Sequence, residues 1–186
     1  MQKKKLKDNN NKIIEGALEI FPDIFFDERG YFYETWNYKN FNNLIESNIN
    51  FVQDNQSFSK KNTLRGLHFQ LNPSAQAKLV KVTQGEIFDV VVDLRQSSKT
   101  FLSWAGILLT STLKNQIWIP EGFAHGFLTL SQEAIVEYKV TNFWDKELER
   151  TLIWNDSSIS IEWPTSKDQL FKPNLSLKDN KGKTLD

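Results

Sequence analysis

The stretch KLVKVTQGEIFDVVVDL, residues 78–94, is the part of the chain that predicts its fold class. A short apolar run over 78–82 is followed by a turn at Gln84-Gly85 and by a second apolar run over 87–94. Short apolar runs that are bounded by turn residues are typical of β-strands. The stretch therefore predicts two strands, the second of them buried, that are joined by a tight turn.

More segments of the same kind follow, and they are separated by glycine, proline and polar turns. They span residues 101–109, 116–119, 126–130 and 134–140. Short strands at this spacing favour a β-sandwich or barrel. One helix is predicted over 39–47, where Phe41, Leu44 and Ile45 share a face. The expected fold is all-β: a closed jelly roll with a few short helices and a mouth that can hold a small ligand.

Length and composition restrict the function classes. A chain of 186 residues fits one domain over 1–186, with residues 1–12 and 181–186 expected to be mobile. The formal net charge of zero argues against a broad nucleic-acid surface. No apolar run reaches the ~20 residues of a membrane helix, and the basic N-terminus lacks the apolar stretch of a signal peptide. We therefore expect a cytoplasmic protein that binds neither nucleic acid nor membranes.

The sequence also restricts the kind of site. It contains no cysteine, which excludes disulfides, zinc–thiolate sites and cysteine nucleophiles. It contains two histidines, His68 and His125, whereas a metal-binding jelly roll of this type needs several imidazoles and a carboxylate. We therefore predict a site without metal or cofactor. Each histidine taken alone is equally consistent with a hydrogen-bonded core residue.

Four segments place polar residues within apolar strands, where burial without a partner is costly. LRGLHFQ (64–70) carries Arg65 and His68, QAKLVKV (76–82) carries Lys78, IFDVVVDLR (87–95) carries Asp89 and Asp93, and IPEGFAHGFLTL (119–130) carries His125.

Each of these residues has a purely structural interpretation. Asp89 and Asp93 would brace a loop or a histidine, Lys78 would lie along the surface, and His125 would bond to backbone groups. Together, a histidine, a lysine and an arginine on neighbouring strands favour a proton-transfer site beside an anion site.

These segments resemble the dTDP-4-dehydrorhamnose 3,5-epimerase family. The resemblance runs from about Gly16 to Asp179, nearly the whole chain, and includes several motifs in fixed order. They are DERGYFYETWN (27–37), FVQDNQS (51–57), LRGLHFQ, QAKLVKVTQGEIFDVVVDLR (76–95), WIPEGFAHGF (118–127), EYKVTNFW (137–144), WND (154–156) and LSLKD (175–179).

The resemblance implies a cupin-type jelly roll that forms a homodimer by exchanging strands. It also implies metal-free epimerisation of a nucleoside-diphosphate 4-keto-6-deoxyhexose in deoxysugar and surface-polysaccharide biosynthesis, including that of lipopolysaccharide. The ketone acidifies the C–H bonds at C3 and C5. A base removes one proton to give an enolate, and reprotonation from the opposite face inverts the carbon.

Roles for individual residues follow from the resemblance. His68 would be the base, Asp179 its carboxylate partner, and Lys78 the cation that holds the developing oxyanion. Arg65 and His125 would line the sugar and phosphate region. Other substrate-binding residues, some of them from the neighbouring subunit, would be Arg29, Phe32, Glu34, Gln53, Asn55, Tyr138 and Phe143. Phe32 and Phe143 would sandwich the nucleobase, which is expected to be thymine.

One position departs from the family pattern. A tyrosine that serves as proton donor is expected six residues after Tyr138, and Trp144 stands there instead. An indole N–H donates hydrogen bonds only and does not release its proton. Three alternatives follow: an epimerase acting at C3 or C5 alone, one that uses water or another side chain as donor, or a non-catalytic cupin that binds sugar nucleotides. We favour an active epimerase, because Arg65, His68, Lys78, His125 and Asp179 are all present.

Overall fold

The structure, a computed structural model, describes residues 1–164 and 171–185. The described part of the chain contains the helices α1 (Tyr38–Ile45) and α2 (Leu177–Asn180). Its strands are β1 (Gln2–Lys7), β2 (Ile13–Phe21), β3 (Phe25–Asp27), β4 (Gly30–Phe32), β5 (Gln53–Lys60), β6 (Leu64–Gln70), β7 (Lys78–Gln84), β8 (Glu86–Asp93), β9 (Trp104–Thr110), β10 (Gln116–Ile119), β11 (Phe123–Thr129), β12 (Glu133–Val140) and β13 (Glu149–Thr151).

Two antiparallel sheets form the body of the molecule. One has the strand order β1-β2-β10-β7-β12-β5, and the other has the order β13-β6-β11-β8-β9. The short hairpin β3–β4 forms a separate two-stranded sheet. The fold is the predicted all-β jelly roll of cupin type.

The core forms because strand side chains alternate between the two faces of each sheet. Along β8, Ile87 and Val91 belong to the main core, where they meet residues of the other sheet such as Val80 and Val136. Val90 points the other way, into a second apolar layer. Polar side chains of these strands that face the interior must therefore lie in gaps between the apolar residues of the main core.

The outer face of the five-stranded sheet is covered, and that of the six-stranded sheet is covered in part. The chain after β13 lies over the five-stranded sheet, where Trp154, Ile159 and Trp163 pack against Leu64 and Val90. Helix α1 and Phe51 cover part of the other sheet around Trp118. This covering explains why β8 is a nearly continuous apolar run instead of an alternating one.

The strand predictions are confirmed with small changes at the ends. The predicted segments 78–82, 87–94, 116–119, 126–130 and 134–140 correspond to β7, β8, β10, β11 and β12.

The predictions for residues 101–109 and for the helix over 39–47 need correction. Residues 101–103 form a turn, with Leu102 at φ 63°, so that β9 begins at Trp104. Helix α1 starts one residue early, because the side chain of Asn37 caps it, and it ends at Ile45, because Glu46 adopts the left-handed conformation at φ 57°.

The chain termini were predicted to be mobile. In the structure, Gln2–Lys7 is strand β1, which pairs with β2. Near the other end, Lys183 pairs with Leu152 in an isolated bridge, and Asp186 lies outside the described residues. The mobility itself stays a prediction. No helix in the part of the chain that the structure describes is both long and apolar enough to cross a membrane.

Two glycines bring β6 and β11 unusually close together. A Cβ atom added at Gly66 would lie 2.5 Å from Cα of Gly126, and one added at Gly126 would lie 2.7 Å from the carbonyl oxygen of Arg65. Gly66 also has φ +128°, a conformation that other residues rarely adopt. Next to this contact, the register places His68 directly opposite His125.

We predict that Gly126→Ala destabilises the protein by about 1–3 kcal/mol, because the added methyl group overpacks the β6–β11 contact. Urea unfolding followed by circular dichroism measures the effect. Lys60→Ala, at an exposed position of β5, is the control and should change stability by less than about 0.5 kcal/mol. Equal unfolding midpoints for the two variants would show that the strands do not approach this closely.

Candidate active site

A cavity of about 440 Å³ lies between the two sheets. The six-stranded sheet contributes Gln53, Asn55, Ser57, Lys78 and Tyr138 to its wall. The five-stranded sheet contributes Arg65, His68, Gln70, His125, Phe127 and Glu149, and α2 adds Lys178. The volume falls within the range of small-molecule sites. Four residue types that can exchange or hold protons, His, Lys, Tyr and Glu, therefore share one cavity.

His68 is held by a buried carboxylate. Its Nε2 lies 2.5 Å from Oδ1 of Asp179, and the hydroxyl of Ser176 donates to Oδ2 of the same carboxylate at 2.8 Å. Asp179 is 4% exposed. The pair joins residues that are 111 positions apart in the sequence. With Nε2 bonded to Asp179, Nδ1 is the ring nitrogen that can accept a proton.

The electrostatics of this pair favour a neutral imidazole and an ionised carboxylate. Burial lowers the pKa of His68, and the bond to Asp179 opposes that change without cancelling it. Burial alone would raise the pKa of Asp179, but the hydrogen bonds from His68 and Ser176 hold it below its usual range. At neutral pH the ring is therefore free to act as a base.

His125 has a carboxylate partner of its own. Its Nε2 lies 2.8 Å from Oδ2 of Asp89, which is fully buried. Oδ1 of Asp89 has no hydrogen-bond partner among the described residues. Asp93, by contrast, accepts bonds from Arg95, Ser98 and Thr100 and so braces the loop after β8. Thus one of the two carboxylates predicted in this strand supports a histidine, and the other supports a loop.

Lys78 is buried at the cavity wall, and the interpretation that places it along the surface is therefore wrong. It is 8% exposed, and its Nζ lies 3.4 Å from the carbonyl oxygen of His68. Burial lowers the pKa of Lys78 to about 8, against the opposing charges of Asp89 and Glu149. The ammonium group is therefore charged at neutral pH and incompletely solvated, a state in which it stabilises a nearby anion strongly.

Arg65 and Tyr138 complete the polar wall. The guanidinium of Arg65 donates to the hydroxyl of Ser59 and to the carbonyl of Phe58, both at 2.9 Å. Tyr138 lies opposite Asn55 on β5 and Val80 on β7. Burial raises the pKa of its phenol, and the charge of Arg65 acts in the opposite direction. The phenol therefore keeps its proton at neutral pH and lies beside a cation.

Of the two aromatic residues that follow β12, Trp144 lines the cavity and Phe143 does not. Trp144 lines the cavity and is 55% exposed, and its backbone N–H donates to the side chain of Gln53 at 3.3 Å. Phe143 is 69% exposed and is not among the described residues that line the cavity.

Three predicted substrate-binding residues lie away from the cavity. Arg29 is in the turn between β3 and β4, where it pairs with Asp27 at 2.6 Å. Phe32 and Glu34 line a different surface depression, and Phe32 is 68% exposed. A single chain thus brings together Gln53, Asn55, Arg65, His68, Lys78, His125, Tyr138, Trp144 and Asp179, but not Arg29, Phe32, Glu34 or Phe143.

Two charged residues that were not predicted from the sequence belong to the cavity. Glu149 and Lys178 line it and form an ion pair of 2.6 Å between β13 and α2. Tyr138 was expected only as a substrate-binding residue. The alternation along β12 signals the position of this tyrosine, because Tyr138 is two residues from Val136 and from Val140 and therefore shares their inward face.

Within the described residues, no three histidine, aspartate or glutamate side chains are grouped so that they could hold one metal ion. The site without metal or cofactor stays a prediction.

Residues 11–186 match the family model described as dTDP-4-dehydrorhamnose 3,5-epimerase. The enzyme of that name from Salmonella typhimurium is 50% identical over 173 residues, which cover 93% of this chain and 92% of that protein. The Legionella pneumophila epimerase, solved with dTDP-4-keto-L-rhamnose, superposes with a TM-score of 0.88 at 40% identity, covering 98% of this chain and 93% of that one.

A more distant structure bears on the tyrosine. It is a 3'-monoepimerase from Streptomyces bikiniensis in complex with dTDP, with a TM-score of 0.84 and 27% identity, covering 92% of this chain and 84% of that one. One histidine and one tyrosine are replaced in that protein, and the two positions lie 70 residues apart. His68 and Tyr138 have the same separation.

We predict that Asp179→Asn lowers the pKa of His68 further, because the carboxylate is the main group that offsets the effect of burial. Titration of the histidine C2–H signals by NMR measures the change. The chain has only two such signals, and that of His125, whose partner is Asp89, is the internal reference. A titration of His68 that is the same in the variant and the parent would show that the two side chains are not bonded in solution.

Proposed function

The chain belongs to the dTDP-4-dehydrorhamnose 3,5-epimerase family, and from that premise we propose that it epimerises dTDP-4-dehydro-6-deoxyglucose at C3 and C5. One observation carries the proposal: a carboxylate-backed histidine on one sheet and a lysine and a tyrosine on the other line the same cavity. This is the set of groups that inversion next to a ketone needs.

In the proposed reaction His68 is the base. Its unprotonated Nδ1 takes the proton from a carbon next to the ketone, and Asp179 stabilises the imidazolium that forms. The electron pair of the broken C–H bond moves onto the ketone oxygen. Lys78 supports this step, because its buried ammonium group holds the negative charge of the enolate oxygen.

We assign the proton donor to Tyr138. Its hydroxyl belongs to the sheet opposite His68, and a proton delivered from there reaches the other face of the enolate. The phenolate left behind would lie beside Arg65, whose charge lowers the pKa of Tyr138. The matching separation from the histidine in the Streptomyces monoepimerase supports the assignment.

This assignment gives Trp144 a different role from the one predicted. A half-exposed indole at the cavity wall cannot act as an acid, but its face can stack on a flat ligand group such as a nucleobase. The loss of a tyrosine at position 144 then leaves the proton donor intact. It removes the reason for expecting inversion at one carbon only, and the 50% identity to the Salmonella 3,5-epimerase favours two.

We further propose that the protein acts in the cytoplasm as a homodimer, within dTDP-rhamnose synthesis for surface polysaccharide. The hairpin β3–β4 supports the dimer: it exposes Phe25, Phe26, Tyr31 and Phe32 by 55–75%. Solvent exposure of adjacent aromatic side chains is typical of an interaction surface. Arg29, on the same hairpin, would then reach the diphosphate in the site of the second subunit.

We predict that turnover in D₂O places two deuterons in the sugar, one at C3 and one at C5. Mass spectrometry counts the deuterons, and NMR assigns their positions. His68→Asn is the control and should abolish both exchanges. One deuteron would identify a single-centre epimerase. The absence of exchange from the parent protein would identify a non-catalytic sugar-nucleotide-binding cupin and refute the proposal.

We predict that Tyr138→Phe slows epimerisation by about 10²–10⁴-fold, the usual contribution of a general acid. Exchange at C3 and C5, the carbons that His68 deprotonates, should persist, because the base is intact. Trp144→Phe is the matched variant at the same cavity, and it should lose less than about tenfold, since only stacking area changes. A larger loss of turnover in Trp144→Phe than in Tyr138→Phe would contradict the assignment.

We predict that His68→Asn and Arg29→Ala subunits restore activity when they are mixed under subunit exchange. If each site combines His68 of one subunit with Arg29 of its partner, a mixed dimer has one intact site. Random pairing then gives about one quarter of the parent rate. Steady-state assays of the separate and mixed variants test this. Activity of the mixture equal to the mean of the two variants would show that Arg29 acts within its own chain, or not at all.

A further inference from the structure

Helix α2 is attached to the body of the protein in an unusual way. It has four residues, Asp179 is its one buried residue, and Leu177 is 81% exposed. Apolar burial within the helix therefore contributes little, and the apolar anchors of this segment are Leu175 and Leu185 on either side of it. Yet this helix carries the carboxylate on which the state of His68 depends.

Within α2 itself, polar contacts take the place of apolar packing. Ser176 caps the helix through the backbone N–H of Asp179, and Asp179 itself bonds to His68. Beyond the helix, the backbone N–H of Lys183 donates to the carbonyl oxygen of Thr151 at 2.9 Å. The ion pair between Lys178 of α2 and Glu149 of β13, at 2.6 Å, is a further contact between the helix and the sheet.

The ion pair lies in a place where it affects the site directly. Glu149 is on β13, opposite Gln70 of β6, and Thr151 of the same strand lies opposite His68. Both members of the pair line the cavity. Lys178 thus attaches α2 to the strand next to His68, one residue before Asp179.

We propose that the Glu149–Lys178 ion pair positions the catalytic base, because it fixes α2 against β13 and so keeps Asp179 bonded to His68. Neither residue needs to touch the substrate for this role. The inference rests on the proposed function where it concerns turnover, but the positioning of His68 can be measured without substrate.

The charges of the pair also act on the groups of the cavity with opposite signs. Lys178 lowers the pKa of both His68 and Lys78, whereas Glu149 raises that of Lys78. The titratable and charged groups around His68 are Asp179 and Lys178 on α2, Glu149 on β13, Lys78 on β7, His125 on β11, Arg65 on β6 and Tyr138 on β12. Breaking the ion pair should therefore shift the pKa values of His68 and Lys78 in a protein that is still folded, which a loss of folding would not do.

The first test is the NMR titration of the two histidines without substrate. Glu149→Gln should lower the proton affinity of His68 about twofold to fivefold, because α2 loosens and the charge of Lys178 is no longer compensated. The double variant Glu149→Lys, Lys178→Glu restores the pair with its charges reversed and places a carboxylate near His68. The proton affinity of His68 should then rise above the parent value. Glu46→Gln breaks a similar ion pair, to Lys3 at 2.7 Å, far from the site and should leave the titration unchanged.

The second test is the pH dependence of turnover. In the parent, activity should fall at acidic pH as His68 becomes protonated, and at alkaline pH as Lys78 loses its proton near its pKa of about 8. Glu149→Gln should lower kcat about threefold to tenfold with little change in KM, and should move both limits to lower pH. The reversed pair should recover most of kcat.

Two outcomes overturn the proposal: a folded Glu149→Gln protein whose His68 titrates as in the parent, or a reversed pair that behaves like Glu149→Gln. A lower kcat with both pH limits unmoved would also overturn it. If the parent shows no deuterium exchange but the histidine titrations follow the expectation, the proposed function fails and the positioning role stands.

Discussion

The contact between β6 and β11 at Gly66 and Gly126 is the constraint on which the rest of the site depends. No side chain fits between the two strands there, since an added Cβ would meet backbone atoms within 3 Å. The strands can therefore close on each other and hold a register in which His68 lies opposite His125. Each ring then reaches a buried carboxylate, Asp179 in one case and Asp89 in the other.

Burial shapes the chemistry of the cavity more than any single ion pair does. It lowers the pKa of both His68 and Lys78, so that the first is neutral and the second is still charged near neutral pH. A base and a cation can therefore share a small space without both being charged. Nearby carboxylates oppose these changes: Asp179 raises the pKa of His68, and Asp89 and Glu149 raise that of Lys78.

The two sheets contribute different groups to the cavity. The five-stranded sheet carries His68 and the adjoining helix α2 carries its carboxylate, whereas the six-stranded sheet carries Lys78 and Tyr138. In the proposed reaction, a flat enolate held between them would have a proton acceptor on one side and a donor on the other, which is the geometry that inversion requires. Trp144 at the cavity wall is proposed to stack on the remainder of a larger ligand, and the exposed hairpin β3–β4, which lies away from the cavity, is proposed to contact a second subunit.

Local pattern in the sequence determined the strands at the centre of the fold, from Lys78 to Val140, and the polar residues Lys78, Asp89 and His125 that interrupt them, together with His68 in the segment LRGLHFQ. It did so because alternation and burial are properties of a single strand. The resemblance of short motifs added Asp179. The tertiary structure decided which residues meet: it joined Asp179 to His68 across 111 positions, paired Glu149 with Lys178, and placed Tyr138 on the sheet opposite His68. Such contacts depend on register and on how distant segments cross, and neither is encoded in the spacing along one strand.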